Sequence, residues 1–366
     1  MTVAASAVVA WLSLSAQQVS PPKTPWGAPD LQGIWDHKIT TPLERPAKFA
    51  NREFLTNEEV AALDKDSTAL PVGKGRDVRG ERGTEADVEG AYNNIFSTGG
   101  GHYVRSKRTS LLIDPPDGKL PPVTDEGKRL MAERVSNRFG TPGENGDIPN
   151  RPAGTVTGAV PASGSGTDPA TGRRLPYAID IGRPSDNPED RNDLERCRGV
   201  TMPCLGGLCG FSRIVQSPGS VSIYYEMGHS GGAYRTIPIT TRPHLPSEMR
   251  FWLGDSIGHW EVDSLVVDTM NFTNQTAYRG VPDDTLHMIE RFTRISAEDL
   301  KYQITIDKPN MYSRPWTMEL ILMRADEKKN QIFESACYEG NYALTSMLAG
   351  ARALEHEKRT RGRADR

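Results

Sequence analysis

The stretch Leu300-Lys301-Tyr302-Gln303-Ile304-Thr305-Ile306 alternates apolar and polar side chains, which is the pattern of a half-buried β-strand. The same alternation occurs at residues 220–227, 260–263, 265–268, 287–293, 316–322 and 331–334. Turn-forming runs such as Gly254-Asp255-Ser256 separate these segments. Because successive segments follow one another too closely for crossover helices, the pattern predicts antiparallel hairpins joined into a meander.

A meander of this length exposes unpaired edges unless it closes or forms a sandwich. We therefore predict a mainly β fold, in which an antiparallel meander closes as a lipocalin- or calycin-like barrel or sandwich with a few peripheral helices and long ordered loops. The barrel core should span residues 191–342. Residues 343–366 should form a C-terminal helix and a basic tail, with Leu344, Leu348, Ala351 and Leu354 packing against the barrel.

The first half of the chain has weaker patterns. Residues 17–139 are interrupted by prolines, and we expect an extended segment with strands and two short helices that pack on the barrel. Leu31–Trp35 alternates as one short strand, Thr56–Glu59 is a capping box, and Thr124 caps a second helix. Residues 140–190 are rich in Gly, Pro and Ser, which indicates a long surface loop or, as an alternative, a lid.

Composition excludes some functions. The 366 residues carry a net charge of −3 with both signs interspersed, and no basic face suits nucleic acid. The chain has no Gly-rich phosphate loop, no GxSxG elbow and no HExxH motif, so we expect no cofactor. The basic run 357–363 is typical of a solvated terminus. The oligomeric state is left open.

The first residues indicate export. Residues 3–14 are apolar and uncharged, too short to span a membrane, and end in Leu14-Ser15-Ala16-Gln17, which resembles a signal-peptidase site. We expect residues 1–16 to be a signal peptide with a truncated start, because the first basic residue is Lys23. The mature protein would then be periplasmic or extracellular and would not reside in a membrane.

Export permits disulfides, and the four cysteines suffice for two bridges. Cys204 and Cys209 flank two glycines that allow a short loop to close, which leaves Cys197 to pair with Cys337. The two other pairings remain open. A zinc site is disfavoured because no histidine lies near this loop.

The candidate chemistry follows from strand parity, because alternate residues of a strand share a face. Glu290 lies between the apolar residues Met288 and Phe292 on one face. If that face points inward, burial should raise the pKa of Glu290 and suit a general acid or base. The alternative is a structural carboxylate paired with an arginine, for which the candidates are Arg242, Arg250 and Arg291.

Tyr225 shares a strand face with His229, which is followed by Gly231-Gly232, where the backbone can approach a ligand. His229 would titrate near neutral pH if it is functional, but an exposed loop histidine is the alternative. A metal site of His229, His244 and a carboxylate is a weaker alternative, and we predict no metal.

Arg242 and His244 lie on a rigid turn framed by two prolines, which can either orient a substrate or fix a strand crossing. Trp252 and Tyr302 offer aromatic surfaces for a ligand, although most aromatic residues here should belong to the core. Glu261 and Asp263 share a face at a hairpin and could act as paired carboxylates, but two acids beside a turn are more often solvated.

Several stretches together resemble a large, poorly characterised family of exported bacterial proteins. They are Pro29–Trp35, Arg108–Gly118, Arg242–Pro246, Trp252–Ser256, Trp260–Val267, Glu290–Arg294 and Ala336–Tyr342. The resemblance covers most of the chain and implies export and a shared fold, and it carries no established activity.

The chain departs from the family pattern mainly in its loops. The family usually has Gly at the position of Val262, Arg at that of His259, and His at that of Tyr338. The segment after His229 is lengthened by Ser230–Ala233. The resemblance therefore implies a retained barrel with altered ligand choice.

Taken together, these features predict an exported enzyme that acts on a small organic or sugar-like molecule by cofactor-independent acid/base chemistry, as a lyase, isomerase or hydrolase. His229, Glu290 and Tyr225 would transfer protons, while Arg242 and His244 would orient the substrate. The alternative is a non-catalytic, lipocalin-like periplasmic protein that binds an apolar small molecule. A structural or surface-interaction protein is a third interpretation.

Overall fold

The computed structural model describes residues 22–37, 41–69, 105–131, 187–188, 196–198, 202, 210–226, 232–278, 281–328, 332 and 336–364. Five predictions lie largely or wholly outside these residues: the signal peptide, the 140–190 loop, the Cys204–Cys209 bridge, the strand at 331–334 and the role of His229. No helix of the described residues is long and apolar enough to cross a membrane.

The described chain is mainly β. Its strands are β1 (Gly33–Asp36), β2 (Leu112–Asp114), β3 (Phe211–Ser217), β4 (Ser220–Tyr225), β5 (Ala233–Pro238), β6 (Asp255–Glu261), β7 (Ser264–Met270), β8 (Ala277–Tyr278), β9 (Val281–Pro282), β10 (His287–Arg294), β11 (Asp299–Asp307) and β12 (Trp316–Arg324). Ten of them form one antiparallel sheet in the order β5-β4-β3-β1-β12-β11-β10-β7-β6, with β2 paired to β12 beside this path. A separate small hairpin consists of β8 and β9.

The sheet curls into a nearly closed barrel, which confirms the predicted fold class. The short strand expected at Leu31–Trp35 is present as β1, and it lies between β3 and β12, where Trp35 is opposite Ser212 and Arg324. We expected the N-terminal segment to pack on a barrel formed by residues 191–342. Instead, β1 completes the barrel, because pairing of the first and last strands removes an open edge of the meander.

The barrel has a seam between β5 and β6, which do not form a continuous ladder in the described residues. The two sides meet beyond β5 at a bridge between Ile239 and Gly258, where Thr240 N donates to Gly258 O at 3.0 Å. A Cβ atom at Gly258 would lie 2.9 Å from Ile237 Cγ2 of β5. Glycine therefore permits the close approach that brings the two sides of the seam together.

Strand alternation places one face of each strand inside the barrel. In β11, for example, Leu300, Tyr302, Ile304 and Ile306 are all buried, while the residues between them are partly exposed. The inward side chains of the other strands join them in a single apolar core. At about 25 cal/mol per Å² of apolar surface removed from water, this core is the main stabilising contribution to the fold.

One hairpin departs from favourable backbone geometry. Val262, in the turn between β6 and β7, has φ +53° and is 92% exposed. This left-handed conformation suits glycine and is strained for a β-branched residue. The valine therefore strains this turn, and its exposed side chain adds no buried apolar surface in return.

The predicted helix caps are present. Thr56 N donates to Glu59 Oε2 at 2.9 Å and Glu59 N donates to Thr56 Oγ1 at 3.2 Å, which is a capping box at the start of the helix Asn57–Ala69. Thr124 Oγ1 accepts from Gly127 N at 3.0 Å, and residues 125–131 are helical. The first helix is longer than the short helix expected from the sequence, since it continues to Ala69.

The C-terminal helix spans Tyr342–Ala364. Its start agrees with the prediction, but its packing does not. Leu344, Leu348 and Ala351 are only partly buried and Leu354 is exposed, so the apolar stripe is not covered by the barrel. The predicted Cys197–Cys337 disulfide is confirmed, with a Cα–Cα distance of 5.5 Å, and it anchors the chain shortly before this helix.

Candidate functional site

Polar side chains meet inside the barrel among the apolar ones. Six consecutive strands around the barrel, from β4 through the seam to β11, each contribute one inward residue. We call this group the inner cluster; it consists of Tyr225, Arg235, Ser256, Thr269, Glu290 and Tyr302. Every member is at most 7% exposed.

An ion pair lies at the centre of the inner cluster. Arg235 Nη2 is 2.6 Å from Glu290 Oε1 and 2.5 Å from Glu290 Oε2, and both side chains are buried. Tyr302 Oη donates to Glu290 Oε1 at 2.5 Å, and its ring stacks on Phe292 with a centroid distance of 4.5 Å. Since burial of an unpaired charge is very costly, these contacts make the carboxylate tolerable inside the barrel.

The remaining donors of Arg235 are directed at hydroxyl groups. Its Nη2 and Nε donate to Tyr225 Oη at 3.1 and 3.3 Å. Its Nη1 donates to Ser256 Oγ and Thr269 Oγ1, both at 3.3 Å. Because Arg235 lies on β5 while Ser256 lies on β6, this guanidinium also joins the two sides of the seam.

Burial and neighbouring charges together set the protonation states of the tyrosines and the arginine of the inner cluster. Burial raises the pKa of Tyr225 to about 12, against a smaller opposing effect of the Arg235 charge. Burial and the charge of Glu290 raise the pKa of Tyr302 well above its usual value. Burial alone would lower the pKa of Arg235, but the charge of Glu290, the two neighbouring tyrosines and the hydrogen bond to Glu290 together outweigh it, and the pKa is raised. At neutral pH both tyrosines are therefore protonated and the arginine is charged.

The inner cluster contains two of the three residues that the sequence suggested for proton transfer. Glu290 faces inward, which the sequence left as a condition, and it is paired with an arginine as in the structural alternative, but the partner is Arg235. The suggested partners are engaged elsewhere: Arg242 with Asp255, Arg250 with the carbonyls of Phe272 and Asp284, and Arg291 with Glu261. Tyr225 joins the same cluster, and His229 lies outside the described residues.

Arg235 is the residue that sequence reasoning missed. It shares strand parity with Ile237, which is buried, so a signal was present in the sequence. A charged residue at an inward position of a strand indicates a buried ion pair or a functional site.

A second group lies on the outer face of the same strands. We call it the outer cluster; it consists of Arg242, His244, Asp255, Asp268 and His287. The carboxylate of Asp255 accepts from Arg242 Nη2 at 2.8 Å, His244 Nδ1 at 2.9 Å and Leu245 N at 2.9 Å. These contacts hold the loop between β5 and β6 against the start of β6.

The outer cluster continues to β7 and β10. Asp268 Oδ1 lies 2.8 Å from His287 Nε2 and 3.2 Å from His244 Nε2, so two imidazoles share one carboxylate. Burial acts to raise the pKa of Asp255, but the bonds from Arg242, Leu245 and His244 outweigh it and lower the pKa to about 2. The hydrogen bond to Asp268 raises the pKa of His287 above its usual value.

The residues proposed for substrate binding do not form one site. Tyr302 belongs to the inner cluster, while Arg242 and His244 belong to the outer cluster. Trp252 lies in the turn before β6, where the guanidinium of Arg198 stacks 3.8 Å from its ring centroid. In the proposed acid pair, Glu261 is exposed and bound by Arg291 at 2.6 Å, and Asp263 is partly exposed beside it, which agrees with the solvated alternative.

No metal site is evident in the described ranges, where no group of three or more His, Cys, Asp or Glu residues could hold an ion. The suggested site of His229, His244 and a carboxylate cannot be placed, since His229 lies outside those ranges. In the structure, His244 contacts two carboxylates through its two ring nitrogens.

No family model and no curated protein matches the chain. Among solved structures, crystal structures of the fluorescent protein UnaG and of a point mutant of it are similar to part of the chain. Both are 14% identical in sequence to this chain, and in both the match covers 72% of their own length. The match covers 31% of this chain with a TM-score of 0.20 for UnaG, and 32% with a TM-score of 0.21 for the mutant. The two clusters are therefore interpreted from their own geometry.

Proposed function

We propose that the barrel binds a small, mainly apolar molecule through a neutral polar group that meets the inner cluster. The observation that carries this proposal is the inner cluster itself: a charge-balanced set of hydrogen-bonding side chains enclosed by apolar ones. Small-molecule sites commonly combine an apolar lining with a few convergent polar groups.

The balance of charge inside the barrel favours a neutral ligand group. Arg235 and Glu290 neutralise each other at 2.5–2.6 Å, so an additional ionised group would be buried without a partner of its own. The hydroxyls of Tyr225 and Tyr302 keep their protons at neutral pH because their pKa values are raised. Tyr302 donates its proton to Glu290, so toward a ligand it can only accept, whereas Tyr225 accepts from Arg235 and keeps its own proton for a ligand oxygen. Together they can pair with an alcohol, amide or carbonyl, which are neutral groups.

The surroundings favour an apolar body for the ligand. Inward residues next to the inner cluster on the same strands are Ile223, Ile237, Val267, Met288, Phe292, Leu300 and Ile304. All are at most 3% exposed. A ligand with a hydrocarbon or aromatic frame gains about 25 cal/mol for each Å² of apolar surface that it buries among such side chains.

An acid/base enzyme is the second candidate, favoured by the convergence of Tyr225, Glu290 and Tyr302 around one guanidinium. It would be a lyase, isomerase or hydrolase. The raised tyrosine pKa values weigh against it, because an efficient proton carrier has a pKa near the working pH. Binding therefore ranks above catalysis. The Cys197–Cys337 disulfide supports an exported, periplasmic or extracellular location for either function.

Titration with the neutral solvatochromic dye Nile red tests binding. We expect saturable fluorescence, and we expect a long-chain primary amide to displace the dye about fivefold more effectively than the matching alkane, since one added hydrogen bond contributes about 1 kcal/mol. In the Arg235→Met/Glu290→Met double variant, which removes both charges at once, the preference for the amide should disappear.

A second buried ion pair supplies the matched control. Lys308 Nζ lies 2.5 Å from Asp283 Oδ1, and both side chains are fully buried. The Lys308→Met/Asp283→Met variant should keep the preference for the amide. Absence of saturable dye binding in the wild-type protein would refute the proposal, whereas conversion of a competitor that stops in Glu290→Gln would favour the enzyme.

A further inference from the structure

His37 is a buried imidazole at the end of β1 that the inner cluster does not include. Its backbone N donates to Gly210 O at 3.0 Å, which continues the pairing of β1 with β3 by one residue. The side chain is 2% exposed, and Nε2 lies 2.7 Å from Ser212 Oγ. Nδ1 is also buried, and it has no hydrogen-bond partner among the residues that the structure describes.

An imidazole in this environment needs two partners. Burial lowers the pKa of His37 to about 4, so the imidazole is neutral at neutral pH. One ring nitrogen then carries a proton and donates a hydrogen bond, and the other accepts a hydrogen bond. Ser212 serves one nitrogen in either tautomer, because a hydroxyl can donate or accept. A buried nitrogen without a partner costs about 1–3 kcal/mol, and native proteins seldom retain that cost without a role for the group.

The position of His37 connects it to the inner cluster. Ser212 on β3 is directly opposite Tyr225 on β4, and the rings of His37 and Tyr225 meet edge to face with centroids 6.4 Å apart. Tyr225 in turn accepts hydrogen bonds from Arg235. Tyr225 thus lies between the two polar regions, with the imidazole on one side and the guanidinium on the other.

We infer that Nδ1 of His37 is a second polar contact of the barrel site, and that the ligand carries two neutral hydrogen-bonding groups on one apolar frame. One group meets the inner cluster and the other meets His37. This inference rests on the proposed binding function. It narrows the ligand class from singly polar molecules, such as long-chain alcohols, to diols, hydroxyamides and similar doubly polar molecules.

Displacement of Nile red by a long-chain primary alcohol and by a diol of the same chain length tests the inference. The wild-type protein should prefer the diol about fivefold, which corresponds to the net contribution of one hydrogen bond. His37→Phe keeps a planar ring of similar size and should lose this preference. In the free variant the unpartnered nitrogen is gone, but the buried Ser212 Oγ loses its imidazole partner. We expect these two effects to offset each other, so that the variant unfolds at a temperature close to that of the wild type.

The same substitution at the outer cluster, His287→Phe, is the matched control and should keep the preference for the diol. If His37→Phe does not fold, nitrogen NMR of histidine-labelled wild-type protein replaces it: the diol should shift the Nδ1 resonance of His37 and the alcohol should not. A preference for the diol that survives in His37→Phe, or an unshifted Nδ1 resonance with the diol bound, would overturn the inference. If neither compound displaces the dye from the wild type, the proposed binding function itself fails.

Discussion

The inner and outer clusters use similar groups on opposite faces of the same strands. On β6 and β7, Ser256 and Thr269 face the barrel interior, while their neighbours Asp255 and Asp268 face outward. On β10, Glu290 faces inward and His287 outward. The inner carboxylate is fully buried, whereas the side chains of Asp268 and His287 are each 34% exposed. On β7 the adjacent residues Thr269 and Asp268 therefore differ strongly in their access to solvent, whereas Asp255 on β6 is as buried as Ser256.

The comparison shows two ways to close one seam. Inside, Arg235 of β5 reaches β6, β7 and β10 through hydrogen bonds that do not change near neutral pH. Outside, the loop after β5 reaches β6 and β7 through His244, whose contacts are carboxylates. Because charges are stronger and less screened in the interior, we expect the inner contacts to dominate stability and the outer contacts to respond to pH and salt.

The largest difference between the clusters should appear on removal of one charge. Arg235→Met or Glu290→Met alone leaves a buried charge without a partner and should lower the free energy of unfolding by about 3–5 kcal/mol. The double variant should recover most of this loss. In the outer cluster, Asp268→Asn should cost about 1 kcal/mol or less, because solvent screens the remaining groups.

Urea denaturation of the four variants measures these values as one double-mutant cycle with an outer reference. If Glu290→Met lowers the free energy of unfolding by no more than Asp268→Asn does, the buried inner ion pair is not stronger than the solvent-screened outer one.

The next effect concerns alkaline pH and belongs to the inner cluster alone. The pKa of Tyr225 is raised from 10.0 to about 12, so its contribution to stability is fully present below pH 10 and is lost as the pH rises through about 12. A shift of this size corresponds to about 2–3 kcal/mol. Tyr225→Phe should remove this part of the alkaline loss of stability, as measured by denaturation at several pH values.

Tyr234, the exposed tyrosine beside Arg235 on β5, provides the control. Tyr234→Phe should leave the alkaline profile unchanged. An identical alkaline loss in Tyr225→Phe and wild type would show that burial does not control the phenol.

The sequence predicted the strands better than it predicted the clusters, for a physical reason. Alternation is local, so β10, β11 and β12 could be located from their own residues, and Glu290 could be placed on the same strand face as the apolar residues Met288 and Phe292. Alternation does not say which inward residues meet across a barrel. Arg235 and Glu290 are 55 positions apart and meet only because the sheet curls until β5 approaches β6.

The outer cluster shows the same limit. The Pro-framed turn indicated Arg242 and His244 as candidates. Their partners Asp255 and Asp268 lie on outward strand faces, and strand parity alone predicts that such residues contact solvent. The closing role of β1 was missed because a strand of four residues has little periodicity to detect. Its place between β3 and β12 is fixed by the edges that the rest of the barrel leaves unpaired.

A smaller effect should separate the clusters at acidic pH. The pKa of Asp255 is lowered from 3.8 to about 2, so its contribution is present above pH 3.8 and is lost as the pH falls through about 2. Because solvent screens part of the interaction, we expect about 1 kcal/mol. Asp255→Asn should lose this amount already at neutral pH and should show a flatter profile between about pH 4 and 2 than the wild type. An unchanged acid profile would mean that Asp255 does not fasten the loop.

The smallest effect should come from His287 near neutral pH. Its pKa is raised by the hydrogen bond to Asp268, against burial, and further by the charges of Asp268 and Asp307. A raised pKa stabilises the folded state below the unfolded value of 6.5, and this contribution is lost as the pH rises through the folded pKa. Because the pair is one-third exposed, we expect only a few tenths of a kcal/mol. NMR titration of His287 should show its pKa fall in Asp268→Asn. A pKa of His287 that stays raised in Asp268→Asn would show that the two groups are not coupled. The pH response that separates the outer cluster from the inner one would then have another origin.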